Sequence, residues 1–76
     1  MIINYKVIGI LKKYIDDSEG SIEIKEIIKI RDVIKNLSLP EEKIKIILVD
    51  GIMKKADVSI KNDNKEITFI PFVSGG

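Results

Sequence analysis

The apolar residues of this chain change period along its length, and that change limits the fold more than any other feature. Ile3, Tyr5 and Val7 alternate with Asn4, Lys6 and Ile8, the period-2 pattern of a strand with one buried face. Gly9 ends the run. Residues 21–27 alternate again, and the short approach to them through Gly20 predicts an antiparallel partner for the first strand. Ile30, Val33, Ile34 and Leu37 then fall at i, i+3, i+4 and i+7, one stripe of an amphipathic helix with Arg31, Asp32, Lys35 and Asn36 outside it. Pro40 stops that helix. Ile44–Val49 reads as a third strand, apolar enough to lie inside a sheet. Asp50-Gly51 marks a tight turn, since Gly accepts positive φ, and Ile52–Lys54 returns as a short strand. Beyond the polar loop Asn62-Asp63-Asn64, the last strand is Lys65–Pro71, with Ile67 and Phe69 alternating against Glu66, Thr68 and Ile70.

In 76 residues this order defines one α+β domain, a mixed sheet of four to five strands in the sequence β-β-α-β-β-β with one main helix packed on one face. The first and last strands are expected as parallel central neighbours. Residues 10–15 place Leu11, Tyr14 and Ile15 at helical spacing, enough for a short turn before a polar loop over 16–20. The expected core is the helix stripe with Ile3, Tyr5, Val7, Ile22, Ile24, Ile67 and Phe69. The domain is placed at residues 1–72, and 73–76 are read as a flexible tail.

Composition then excludes chemistry. The chain has no His and no Cys, so it lacks the usual neutral-pH proton shuttle, a thiolate nucleophile and the commonest zinc ligands. A self-contained enzyme is not expected, nor a bound metal or cofactor. Thirteen basic against twelve acidic residues leave a net charge of +1, far from the basic balance that phosphate-backbone binding needs, so no nucleic-acid partner is expected. The longest aliphatic run, residues 46–49, is too short to span a bilayer, which makes a cytoplasmic protein without a membrane partner the default. The many Ile residues suit a pleated, half-buried sheet.

Side-chain clusters add little. Asp16, Asp17 and Glu19 share a loop but lack an Asp-x-Asp-x-Asp-Gly framework, and Glu41-Glu42 reads as a charged surface turn. Lys12-Lys13 and Lys54-Lys55 read first as scattered surface lysines and secondly as the rim of an acidic partner site. The chain end is different. Gly75-Gly76 has no Cβ at either position, so it is slender enough to thread a narrow channel, and its functional group is a carboxylate, taking Gly76 as the natural terminus. The pair follows closely on a strand expected at the middle of the sheet.

The opening strand, the helix start at residues 29–34, the Ile47-Leu48-Val49-Asp50-Gly51 strand and turn, and the ending Phe69-Ile70-Pro71-Phe72-Val73-Ser74-Gly75-Gly76 together resemble the β-grasp, ubiquitin-like sulfur-carrier family. That family includes the small subunit of molybdopterin synthase and the sulfur carrier of the thiamine pathway. The resemblance runs end to end, and the ending is more similar to the molybdopterin-synthase subunit. Three positions depart from the family pattern. Phe72 replaces a second proline, Asn62-Asp63-Asn64-Lys65 replaces a Gly-containing turn while retaining residues that tolerate left-handed backbone, and Lys29 stands where a helix-capping Thr is common.

The resemblance implies a sulfur carrier. The Gly76 carboxylate would be adenylated by an E1-like activating enzyme using ATP and Mg²⁺, then converted by a persulfide sulfur donor to a thiocarboxylate. An acceptor synthase large subunit would take the sulfur from it, with Gly75, Ser74 and Val73 forming the tail. The resemblance implies molybdopterin-type cofactor synthesis first, with a protein modifier joined through Gly76 to target lysines, or a sulfur carrier for thiamine or tRNA thiolation, as the alternatives. Parity puts Ile8 and Ile70 on the helix-free face, where with Lys12, Met53 and Phe72 they form the expected partner-docking patch.

Overall fold

The computed structural model describes residues 1–72. Strand β1, Ile2–Val7, runs into a 3₁₀ turn over Gly9–Tyr14 and returns as β2, Glu19–Glu23, antiparallel to it. A two-residue strand β3, Ile28–Lys29, leads into the helix α1, Ile30–Asn36. After a 3₁₀ turn over Glu41–Lys43 come β4, Ile44–Val49, and β5, Ile52–Lys54. Strand β6, Ser59–Ile60, precedes the last strand β7, Lys65–Pro71. The main sheet has the order β2-β1-β7-β4-β5, with β7 at its centre and parallel to β1, as the sequence predicts.

One expectation needs correction. The second strand is not residues 21–27; it begins at Glu19 and ends at Glu23, so the expected loop over 16–20 is shorter. Just past its end the Ile24 amide donates to the Met1 carbonyl at 2.7 Å and the Met1 nitrogen donates to the Ile24 carbonyl at 2.8 Å, after which the chain leaves the sheet. The order β-β-α-β-β-β holds for the main sheet and its helix, and outside it β3 and β6 pair with each other as a separate ribbon, Ile28 opposite Ile60 and Lys29 opposite Ser59.

That ribbon explains the helix start. Lys29 makes no side-chain cap, as its residue type requires. Instead the Ile30 amide donates to the Val58 carbonyl at 2.9 Å and the Arg31 amide to the Ala56 carbonyl at 2.8 Å. Backbone from the β5–β6 connection thus satisfies the donors a capping side chain would otherwise take. The other end of α1 closes as a Schellman motif. Leu39 N–H reaches Ile34 O at 3.1 Å and Ser38 N–H reaches Lys35 O at 3.0 Å, with Ser38 at φ +58° where Gly is usual.

The core lies between α1 and one face of the sheet. Ile30, Val33 and Ile34 meet Ile3, Val7, Ile67 and Phe69, all at most 1% exposed, with Leu11, Leu39 and Ile60 closing the margins. Tyr5, Ile22, Ile24 and Leu37 pack on this cluster while staying partly exposed. The turns follow their residues: Asp50 and Gly51 both take positive φ, +50° and +83°, in the two-residue hairpin between β4 and β5. Asn64 takes φ +59°, so the glycine-free loop keeps the left-handed geometry expected of it.

Candidate functional site

The site is built around the end of β7. Strand β7 delivers the chain from the centre of the sheet to Phe72, the last described residue, and the bonds around that point fix where it emerges. Ile8 N–H donates to Phe69 O at 3.1 Å, extending the parallel pairing past β1, and Phe72 N–H donates to Lys43 O at 3.3 Å. Gly9 lies against Pro71. A Cβ on Gly9 would stand 3.1 Å from Pro71 Cγ, and its φ of +63° is one that L side chains rarely adopt. The root of the tail is therefore clamped from both sides, by the β1 exit and by the turn before β4. Val73, Ser74, Gly75 and Gly76, the residues singled out in the tail, lie outside the described residues.

The face of the sheet away from α1 presents an apolar patch beside this root. Ile8 lies beside Ile70 in the extended pairing, Ile70 pairs with Ile46, and Leu48 pairs with both Thr68 and Met53. Ile8, Met53 and Phe72 are exposed, Met53 at 66% and Phe72 at 54%, whereas Ile70, Ile46 and Leu48 are half-buried. Lys12 is exposed on the 3₁₀ turn that follows Ile8. The structure thus brings Ile8 and Ile70 side by side and sets Met53 one strand further out, separated from Ile70 by Ile46 and Leu48. Those two were missed for a clear reason. Residues 46–49 are an unbroken aliphatic run, so no alternation marks which of them face the helix and which face out, and that stretch reads as buried on both sides.

Charge collects near the same end. The Lys13 and Lys43 ammonium groups lie 5.3 and 5.7 Å from the centre of the Tyr14 ring. Lys43 first and Lys13 after it hold the Tyr14 hydroxyl below the usual tyrosine range. Lys43 is raised in return, by Tyr14. This basic cluster at the tail root was not anticipated, because only Lys12-Lys13 are neighbours in sequence. Glu41 lies in the charged surface turn that the sequence predicts, and it has a partner there. It forms a two-pronged ion pair with Arg31, Nε to Oε1 at 2.9 Å and Nη2 to Oε2 at 3.0 Å, which depresses the Glu41 carboxyl and raises the guanidinium. Glu42 remains exposed.

Asp50 and Asp63 act as fasteners for β7 and β1. Asp50 Oδ1 accepts from Glu66 N–H at 2.9 Å and its Oδ2 lies 3.1 Å from Lys65 Nζ, contacts that lower its pKa in that order of importance. Asp63 Oδ1 accepts from the Ile2 and Asn64 amides, and its pKa is lowered chiefly by the first. Among the described residues no three His, Cys, Asp or Glu side chains are grouped to hold a metal ion, and no helix is long and apolar enough to cross a membrane.

The chain has a β-grasp, ubiquitin-like fold, and the comparison with solved structures shows this directly. SAMP1 from Haloferax volcanii matches with a TM-score of 0.75 over 100% of both chains at 13% sequence identity. A protein described as molybdopterin converting factor, subunit 1, from Pyrococcus furiosus matches with a TM-score of 0.74 at 20% identity, covering 95% of this chain and 98% of that one. At these identities the likeness is one of fold. No protein-family model matches the sequence. No curated protein matches it either.

Proposed function

We propose that this protein is a sulfur carrier that works through a carboxyl group at Gly76. The observation that supports the reading is the clamped root at Pro71 and Phe72, which lies beside an open apolar patch and is followed in the sequence by Val73-Ser74-Gly75-Gly76. A partner that grips the patch of Ile8, Ile70 and Met53 has the chain end delivered to it in a defined direction. The chain supplies no catalytic side chain in this scheme. A partner enzyme of the E1-like type uses ATP and Mg²⁺ to join the carboxylate to AMP and release pyrophosphate, because a free carboxylate is too poor an electrophile for sulfur to attack. The terminal sulfur of a persulfide donor then attacks the activated carbonyl and displaces AMP, and a thiol cleaves the resulting acyl disulfide to leave the thiocarboxylate. Activation at the expense of ATP suits the cytoplasm.

The sulfur is then donated to a synthase large subunit. Molybdopterin-type cofactor synthesis is the assignment favoured here, on the Pro71-containing ending and the fold likeness to the Pyrococcus furiosus protein. Intact-mass analysis of the protein from its own cells tests the carrier reading. A single replacement of oxygen by sulfur at the C-terminus is expected. Conjugates bearing a Gly-Gly remnant on lysine would point to a protein modifier instead, and failure to form an adenylate with the cognate activating enzyme and ATP would sink both readings.

A further inference from the structure

The β4–β5 hairpin leaves a gap in the sheet. Strand β5 pairs only with residues Ile47, Leu48 and Val49, and among the described residues no strand lies against 44–46 on that side. The cause is the helix cap described above. After Lys54 the chain turns, with Val58 N–H donating to Lys55 O at 3.1 Å, so that the Ala56 and Val58 carbonyls can reach the first amides of α1. The segment that would have carried β5 further along β4 is used elsewhere, and a groove of about 470 Å³ opens in its place, with Arg31 and Glu41 at one end and Ile44, Ile46, Lys54 and Lys55 along it.

The groove is basic. Glu41, its one lining carboxylate, is taken by Arg31, on which Asp32 and Asp57 also act at longer range. Lys45, Lys54 and Lys55 are all exposed, and among the described residues none has a carboxylate within ion-pair distance. Lysines on a sheet edge repel a second copy of the same edge, which argues against self-association there. The same charges favour an acidic visitor. An exposed edge with apolar and charged side chains on its two faces is the arrangement that binds peptides by strand addition, where main-chain bonds hold the peptide and alternate side chains select it.

We propose that residues 44–46 of β4 receive an extended, acidic segment of a partner protein, which adds to the sheet in line with β5. An aliphatic residue of the segment rests against Ile46 and Met53, and carboxylates beside it meet Lys45, Lys54 and Lys55. The segment would share Ile46 and Met53 with the open patch while leaving Ile8, Pro71 and Phe72 uncovered, so it occupies the far side of that patch from the end of β7. The proposal does not depend on the sulfur-carrier reading; adenylation and segment binding can each fail while the other stands.

The test is an NMR titration of the ¹⁵N-labelled full chain with a capped peptide of alternating Asp or Glu and Ile or Val. The expected result is saturable shifts centred on residues 44–47 and 53–56, with slowed amide exchange at 44–46. Lys54→Glu combined with Lys55→Glu, both exposed and away from the core, should weaken binding by roughly tenfold or more while leaving the rest of the spectrum unchanged. A peptide with Pro at its centre keeps the charge but cannot complete the ladder, and should bind far more weakly. Equal binding of the Pro peptide, or of a single-stranded oligonucleotide, would show a polyanion surface and overturn strand addition. Shifts centred on β2, or none at millimolar peptide, would overturn the site.

Discussion

Phe69 and Ile70 are neighbours in the central strand, yet they belong to opposite sides of the molecule. Phe69 is 0% exposed beneath α1, whereas Ile70 lies half-buried on the open face among Ile8, Ile46, Leu48 and Met53. Where β7 leaves the sheet both faces carry apolar side chains and only one has a helix to cover it, whereas further back along β1 and β7 the open face is polar, with Asn4, Lys6, Glu66 and Thr68. The comparison teaches that this chain carries more apolar surface than its own core consumes, and that part of the excess is grouped beside the tail root while Ile2, Ile27 and Ile52 are exposed elsewhere. Grouped apolar surface of this kind marks an interaction site more often than scattered surface residues do.

The contrast breaks most visibly at Phe69. Phe69→Ala should cost about 3–5 kcal/mol, enough to unfold much of the population of so small a domain, as read by urea denaturation followed by circular dichroism. If it costs no more than Ile70→Ala, the two faces are energetically alike and the distinction fails. Gly9→Ala comes next, at about 1–2 kcal/mol for the left-handed backbone, with the contact to Pro71 added. Its larger consequence should be on transfer, since it disturbs the clamp at the tail root. Ile70→Ala should cost about 1 kcal/mol in stability and yet reduce the rate of adenylate formation by the activating enzyme several-fold. Unchanged adenylation in that variant would make the open face a bystander.

Two smaller effects sharpen the picture. Glu41, Asp50 and Asp63 all have depressed pKa values in the folded state, so their stabilisation is complete above the ordinary carboxylate range and is lost as pH falls through the lowered values. The melting temperature should therefore stay level from neutrality to roughly pH 5 and decline below about pH 4, with the decline shallower in Asp50→Asn. Since Asp50 and Asp63 fasten strands that contribute to both faces, acid should loosen the two together. Finally, Ser38→Gly relieves the one left-handed residue of the Schellman motif and should stabilise by at most about 1 kcal/mol without changing partner binding. It strengthens the cover of one face and leaves the other alone.

Much of this was legible in the sequence wherever a period could be read. The alternation in β1 and β7 assigned Ile3, Val7, Ile67 and Phe69 to the core and left Ile8 and Ile70 outside, and the stripe of Ile30, Val33 and Ile34 located α1. Asp50-Gly51 announced its hairpin. Two-residue strands such as β3 and β6 were beyond reach because two residues carry no period; they exist through their pairing with each other and through the carbonyls that cap α1. The pairing of Arg31 with Glu41, ten positions apart, was invisible for a similar reason: nothing local requires it.

The sequence by itself determined the class of fold, the covered face of the sheet and the residues with which the chain ends, because these follow from local spacing and residue type. Tertiary structure alone decided the rest. It completed the open patch with Ile46 and Leu48, which acquire a direction only from their neighbours across the ladder. It set Lys43 beside Tyr14 at the tail root, and it diverted the chain after Lys54 so that the edge of β4 stands open between lysines. Each of these depends on which distant segments meet, and that is settled by packing and long-range hydrogen bonding.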